Sequence, residues 1–135
     1  MSRTFVMCKP DAVERKLVGE IIRRLEEANL IIVAAELRNL NPELLSHHYE
    51  EHVGKPFYDE LVAFMSRSPA MLMVLEGEAE AFAVARELMG ATDPAQAEAG
   101  TIRGDLATEM PENLIHGSDS EESAKREINF FFPKL

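Results

Sequence analysis

The chain has 135 residues, enough for one domain with a real core, and is 46% hydrophobic and 28% charged, the composition of a globular protein rather than a disordered one. Its net charge of −10 argues against nucleic acid or an anionic membrane as the bulk partner, since sequence-independent binding to either rests on basic surface. The single cysteine, Cys8, excludes an intrachain disulfide framework, and no apolar run approaches membrane-spanning length, so the expected setting is a reducing cytoplasm.

In chain order, Thr4 to Cys8 is expected to form a short strand, broken by Lys9-Pro10-Asp11. Val18, Ile21, Ile22 and Leu25 then fall at i, i+3, i+4 and i+7, the single apolar stripe of an amphipathic helix. Leu30 to Leu37 predicts a second strand. Asn41-Pro42 is a helix start, with Asn as cap and Pro at the first helical position, and that helix should run to about His52. A further helix carries Phe57, Leu61, Phe64 and Met65; Ala70 to Leu75 is the third strand; Ala79 to Met89 is a helix closed by Gly90. Ala91 to Met110 shows no period, which in a compact domain points to a functional loop. A short strand at Leu114 to His116 precedes a last helix capped by Ser120, with Glu121 and Glu122 in its first turn. With no repeat or linker, residues 1–135 read as a single α+β domain, a ferredoxin-like sandwich in which a four-stranded antiparallel sheet carries helices packed on one face.

Four basic residues, Lys9, Lys55, Arg86 and Arg103, lie outside the obviously charged helices, and gathered together they would make a pocket for a small, highly charged anion. None of the seven glycines forms GxxxxGK[ST] or GxGxxG, so any nucleotide phosphates must be held by side chains. His48-Tyr49-Glu50-Glu51-His52 matches the H-x-x-E-H pattern of a zinc protease. That site also needs a third ligand and a groove, and a polar helix face is the simpler reading. His116 alone would be read as a satisfied, buried histidine. Its place between an apolar strand and a capped helix, with Gly117 removing bulk beside it, instead presents an imidazole to the anion pocket, with Ser118 and Glu127 near enough to set its tautomer. Neutral imidazole is a competent nucleophile toward phosphorus.

The stretches Lys9-Pro10-Asp11, HYEEHVGKPF at 48–57, GTIRGD at 100–105 and NLIHGSDS at 113–120 together resemble the nucleoside diphosphate kinase family over nearly the whole chain. The resemblance implies a ping-pong transfer of the γ-phosphate from a nucleoside triphosphate to a nucleoside diphosphate. It matches His116 to the phosphorylated histidine and Ser118 and Glu127 to the pair that positions it. Lys9 and Asn113 match the residues that bond the sugar hydroxyls, and Arg86, Thr92 and Arg103 the phosphate ligands. Tyr49 and His52 resemble residues beside the nucleophile and phosphates; Phe57 and Leu61 match the apolar clamp on the base, with Met110 at a third base contact. Read from the residues alone, Phe57 and Leu61 would be plain core packing at i, i+4. The resemblance further implies Mg2+ held mainly through nucleotide phosphates rather than by protein ligands. It implies a homo-oligomer too, tetramer or hexamer with dimer as the smaller alternative, and no specific nucleic acid or membrane partner. Two departures are Ser66-Arg67-Ser68-Pro69, where members commonly read Ser-Gly-Pro, and a chain stopping at Leu135 where longer members continue. A non-catalytic module that binds a small effector is the competing class, and it would not need a histidine at the phosphate terminus.

Overall fold

The computed structural model describes residues 1–135. Four strands, β1 (Ser2–Cys8), β2 (Ile31–Arg38), β3 (Ala70–Gly77) and β4 (Ile115–Gly117), form one sheet in the order β2-β3-β1-β4, every neighbouring pair antiparallel. Seven α-helices connect and flank them: α1 (Pro10–Glu14), α2 (Val18–Glu27), α3 (Pro42–His48), α4 (Tyr58–Ser66), α5 (Ala81–Met89), α6 (Ile102–Leu106) and α7 (Glu121–Phe131). This is the expected ferredoxin-like α+β arrangement.

The helices are not confined to one face. In the central strand β1, side chains alternate: Val6 and Cys8 join Ile21 and Leu25 of α2 and Ala85 and Met89 of α5 on one side. Phe5 and Met7 join Leu45 of α3, Phe64 of α4 and Phe131 of α7 on the other. The physical reason was available in the run Phe5-Val6-Met7-Cys8, which is apolar at every position; a strand wet on one face would alternate with polar residues. Phe5, Val6 and Met7, each fully buried, contribute roughly 1.5–3 kcal/mol apiece of hydrophobic stabilisation.

Local signals set most of the boundaries. The Asn41 side chain accepts from the Leu44 amide at 2.8 Å, and Ser120 accepts from the Ser123 amide at 3.0 Å, capping α3 and α7. Lys9-Pro10-Asp11 ends β1 as expected but also begins α1, with Pro10 at the first helical position. The Ala91 to Met110 stretch holds a 3-10 turn at Pro94–Gln96 and the short helix α6, capped by Thr101 through the Gly104 amide at 3.0 Å. Five residues are too few to print a 3.6-residue period, which is why the sequence shows none.

Candidate active site

Two crossing contacts build the floor. Lys9, just after β1, donates from its backbone N–H to the Leu114 carbonyl at 2.8 Å, and the Leu114 N–H donates to Oδ2 of the buried Asp11 at 3.0 Å. Leu114 itself sits at φ +71°, a left-handed conformation uncommon for a branched residue, so these bonds hold a strained turn. The strand expected to begin at Leu114 therefore begins at Ile115. The turn points Asn113 back toward Lys9, and the Lys9 ammonium donates to Asn113 Oδ1 at 2.7 Å. Asn113 Nδ2 donates to the Thr92 carbonyl at 2.8 Å, tying in the preceding loop.

His116 pairs with Met7 across β1 and β4, so its ring lies on the α7 side of the sheet. The neighbouring Gly117 faces α5, where a Cβ would meet Met89 Sδ at 2.7 Å; glycine lets β4 lie this close to α5. His116 Nε2 is 3.1 Å from both carboxylate oxygens of Glu127, on α7. Ser118 does not touch the imidazole. Its hydroxyl donates to Glu127 Oε1 at 2.6 Å, so it orients the ring through the carboxylate. Burial alone would raise the Glu127 pKa, but hydrogen bonds from His116 and Ser118 outweigh it and hold the group below the ordinary carboxylate value. An ionised Glu127 accepts from Nε2–H, which leaves the Nδ1 lone pair free.

Cations converge on the same space. Arg103 spends three of its five N–H donors on the carbonyls of Gly90, Asn113 and Ile115, at 2.9, 3.2 and 2.6 Å. Gly90 can offer its carbonyl there because it adopts φ +83°, ψ −177°, a conformation essentially restricted to glycine. Burial and the nearby Arg86 pull Arg103 down to about 10, and burial draws Lys9 down to about 8, so both retain their charge at neutral pH. Arg86 donates to the Gly117 carbonyl at 2.9 Å and keeps its remaining donors free.

These groups open onto a cavity of about 730 Å3. Of the residues matched to the family's site, Lys9, Tyr49, His52, Phe57, Leu61, Arg86, Thr92, Arg103, Met110, Asn113, His116 and Glu127 line it, and Ser118 does not. Lys55, grouped with the basic residues on sequence, is not part of the lining. Phe57 and Met110 stand at the exposed mouth, with His52 edge-on to Phe57 at 5.3 Å. Tyr49 packs against His48, its ring centroid 4.4 Å away, and burial raises its hydroxyl pKa.

The zinc-protease pattern dissolves. α3 ends at His48, and Glu50–His52 is a separate 3-10 turn, so His48 and His52 do not share a helix face. What sequence reasoning missed is that His48 turns inward, its ring edge-on to His116 at 5.2 Å between centroids. Burial, with His116 second, lowers its pKa to about 4, so it is neutral at physiological pH. Asp11 and the rim residue Asp119 were also missed; both lie inside the recognised stretches but have no periodic or spacing signal of their own.

The model of the nucleoside diphosphate kinase family matches residues 2–135. A nucleoside diphosphate kinase of Listeria monocytogenes is 52% identical over 132 residues, covering 98% of this chain and 89% of the relative. One from Bacillus licheniformis is 53% identical over 132 residues, covering 98% and 88%. Among solved structures, a halophilic nucleoside diphosphate kinase from Halobacterium salinarum in complex with CDP superposes with a TM-score of 0.93 at 49% identity, covering 97% of this chain and 87% of that one. The fold, the cavity and these likenesses agree: the chain belongs to the nucleoside diphosphate kinase family and is a phosphotransferase that moves the terminal phosphoryl group of a nucleoside triphosphate to a nucleoside diphosphate.

Proposed function

We propose that Nδ1 of His116 carries the phosphoryl group between the two nucleotides. The observation behind this reading is the commitment of Nε2 to the Glu127 carboxylate at 3.1 Å, which leaves one nucleophilic nitrogen on a ring that lines the cavity. Nδ1 attacks the γ-phosphorus in line; the new N–P bond forms as the bond to the β-phosphate oxygen breaks, and that oxygen leaves with its electron pair as the diphosphate. The Nε2 proton stays shared with Glu127, whose charge offsets the developing charge on the ring. A second diphosphate then enters the same cavity and takes the group back. Arg86, Arg103 and Thr92 hold phosphate oxygens, Lys9 and Asn113 the ribose hydroxyls, and Tyr49 and His52 pack beside them. Phe57, Leu61 and Met110 contact the base. The CDP complex of the Halobacterium salinarum relative supports nucleotides as the occupants.

The donor set accommodates a divalent cation only when the nucleotide brings it. A bare cation would meet Lys9, Arg86 and Arg103, while the phosphate oxygens offer the hard ligands that Mg2+ prefers. Asp119 places one protein carboxylate at the rim, where the Ser123 hydroxyl on its Oδ1 keeps its pKa low. When bound, Mg2+ neutralises charge on the transferring phosphate. The edge strand β2, with Ile31 and Leu37 each 55% exposed, supports a homo-oligomer that covers it. The lone buried thiol of Cys8 is in keeping with a cytoplasmic setting, and no helix is long and apolar enough to cross a membrane.

Brief mixing with ATP, followed by mass spectrometry under alkaline conditions, should place one added phosphate on His116, and initial-rate plots at several donor concentrations should be parallel. A phosphate on another residue, or intersecting plots without a phosphoenzyme, would overturn the reading.

A further inference from the structure

Three groups that line the cavity, His48, His116 and Glu127, are not all used together by phosphoryl transfer. His48 from the end of α3, His116 from β4 and Glu127 from α7 each offer one ligand atom, and these atoms all lie within 4.8 Å of one another. His116 Nε2 is 3.1 Å from both Glu127 oxygens, and His48 Nδ1 is 4.0 Å from Glu127 Oε2. The His48 side chain is only 4% exposed; its buried Nε2 has no hydrogen-bond partner, and its Nδ1, the nitrogen nearer Glu127, stands at 4.0 Å, beyond hydrogen-bond reach. A polar ring placed deep in the protein and left short of partners is costly unless something else uses it. A recess of about 90 Å3 beside His48 and Glu127, which His116 does not line, is flanked by Glu50 and Glu51, which favour entry of a cation, and by Arg126, which opposes it.

Two imidazoles and a carboxylate form a donor set for Zn2+, whose bonds of about 2.0–2.2 Å set tetrahedral ligand atoms roughly 3.4 Å apart. The separations from Glu127 of 3.1 and 4.0 Å straddle that value and the whole set lies within 4.8 Å, so side-chain rotations that draw His48 toward His116 would close the site. Mg2+ suits it poorly, being a hard ion that holds to oxygen and water.

We propose that His48, His116 and Glu127 form an inhibitory site for Zn2+, separate from the cation that travels with the nucleotide. The action is a tautomer lock. A neutral imidazole carries one proton, and with Nε2–H donating to Glu127 the lone pair is on Nδ1. Zn2+ takes the Nε2 lone pair, the Zn–N bond replaces the N–H bond, and the ring stays neutral by carrying its proton on Nδ1. Nδ1 then has no lone pair with which to attack phosphorus. The metal binds at Nε2, which Lys9, Arg103 and Asn113 do not contact, so these residues keep their places and nucleotide binding persists. The inhibition rests on Nδ1 being the nucleophile, as proposed above; the metal site itself does not.

Calorimetric titration of the nucleotide-free protein with Zn2+ alone should give one ion per chain, undisturbed by excess Mg2+. Phosphoenzyme formation from ATP, measured at buffered free Zn2+, should fall at least about tenfold at saturation with the nucleotide KM unchanged, and a chelator should restore it. His48→Gln and His48→Asn should each weaken Zn2+ binding by at least about tenfold, and the zinc sensitivity of each variant should fall relative to its own zinc-free rate. Retained circular dichroism of either variant shows that the fold is not the cause. No binding tighter than about 1 mM, or equal affinity in the wild type and both variants, overturns the site. Binding that leaves phosphoenzyme formation intact overturns the tautomer lock. Loss of all His116 labelling in zinc-free wild type would sink the transfer reading instead and leave the metal titration standing.

Discussion

At its closed end the cavity is lined by Lys9, Arg103, Asn113 and Glu127, all nearly inaccessible to solvent, whereas at its mouth Phe57 and Met110 stand 47% and 50% exposed. The closed end is polar, charged and cross-braced through the backbone: Arg103 alone ties Gly90, Asn113 and Ile115 together. The mouth is apolar, and its contacts are ring edges and side-chain ends. Electrostatic stabilisation of a phosphoryl group needs donors fixed before the substrate arrives, in a site where water cannot screen them. Holding a base needs only a surface to lie on. The contrast predicts that damage to the closed end destroys turnover, while damage to the mouth mainly weakens binding.

The largest effect belongs to His116→Ala. Removal of the nucleophile should abolish phosphoenzyme and lower turnover by at least about four orders of magnitude. The ring is partly exposed to the cavity, so thermal unfolding should stay within a few degrees of wild type. Retained turnover above that level in a rapid-quench assay would place the chemistry elsewhere.

Next comes Glu127→Gln, which preserves shape but no longer forces the proton onto His116 Nε2. The expected loss is on the order of a hundredfold or more in kcat with KM little changed, because an orienting partner governs the tautomer rather than substrate affinity. Ser118→Ala acts one bond further away, through the 2.6 Å contact to Glu127 Oε1, and should cost about tenfold. Steady-state kinetics that showed the larger effect in KM would mean Glu127 touches nucleotide rather than the imidazole.

This graded picture also marks what the sequence could show. Lys9, Arg103 and His116 were legible because they lie within the separate stretches that carry the family resemblance, whereas Arg86 and Glu127 lie outside those stretches and were matched only through the resemblance as a whole. The sandwich was legible from periodicity. The helices on the second face were not assigned, although the unbroken apolar run from Phe5 to Cys8 carried the signal. The bracing roles were not legible at all. That Ser118 acts through Glu127, that Asp11 holds the strained Leu114 and that His48 turns toward His116 depend on contacts between elements distant in the chain, which spacing does not encode.

The closed end should also be the acid-sensitive part of the fold. His48 has a pKa lowered to about 4, chiefly by burial, against an ordinary value of 6.5. Between those values the unfolded chain takes up a proton that the folded chain refuses. Stability is therefore full above about 6.5 and declines as pH falls through about 4, by on the order of 3 kcal/mol from this group. Glu127, with its lowered pKa, acts in the same direction at the acid end of the window. Urea titrations at pH 7 and pH 4.5 should show His48→Asn losing less stability on acidification than wild type. Equal losses would mean that His48 accepts its proton in the folded state.

The smallest effect is expected at the mouth. Stacking of a base on an aromatic face is worth about 1–3 kcal/mol, and the solvent around a half-exposed Phe57 places it at the low end. Phe57→Ala should accordingly raise KM for the nucleoside diphosphate roughly fivefold and leave the kcat of the phosphoenzyme nearly unchanged, the reverse of the Glu127 pattern. The same weakness predicts broad acceptance. Discrimination on the scale of four or more powers of ten requires buried hydrogen-bonding groups aimed at a base edge. Phe57, Leu61 and Met110 present none beyond a thioether, and Met110 Sδ already lies 3.6 Å from Asn113 Nδ2. ADP, GDP, CDP and UDP should therefore be phosphorylated with kcat/KM values within about two orders of magnitude of one another. A preference beyond about ten-thousand-fold for one base, or a Phe57→Ala variant whose kcat collapses while KM holds, would show that the mouth takes part in the chemistry and that the division between the two ends is false.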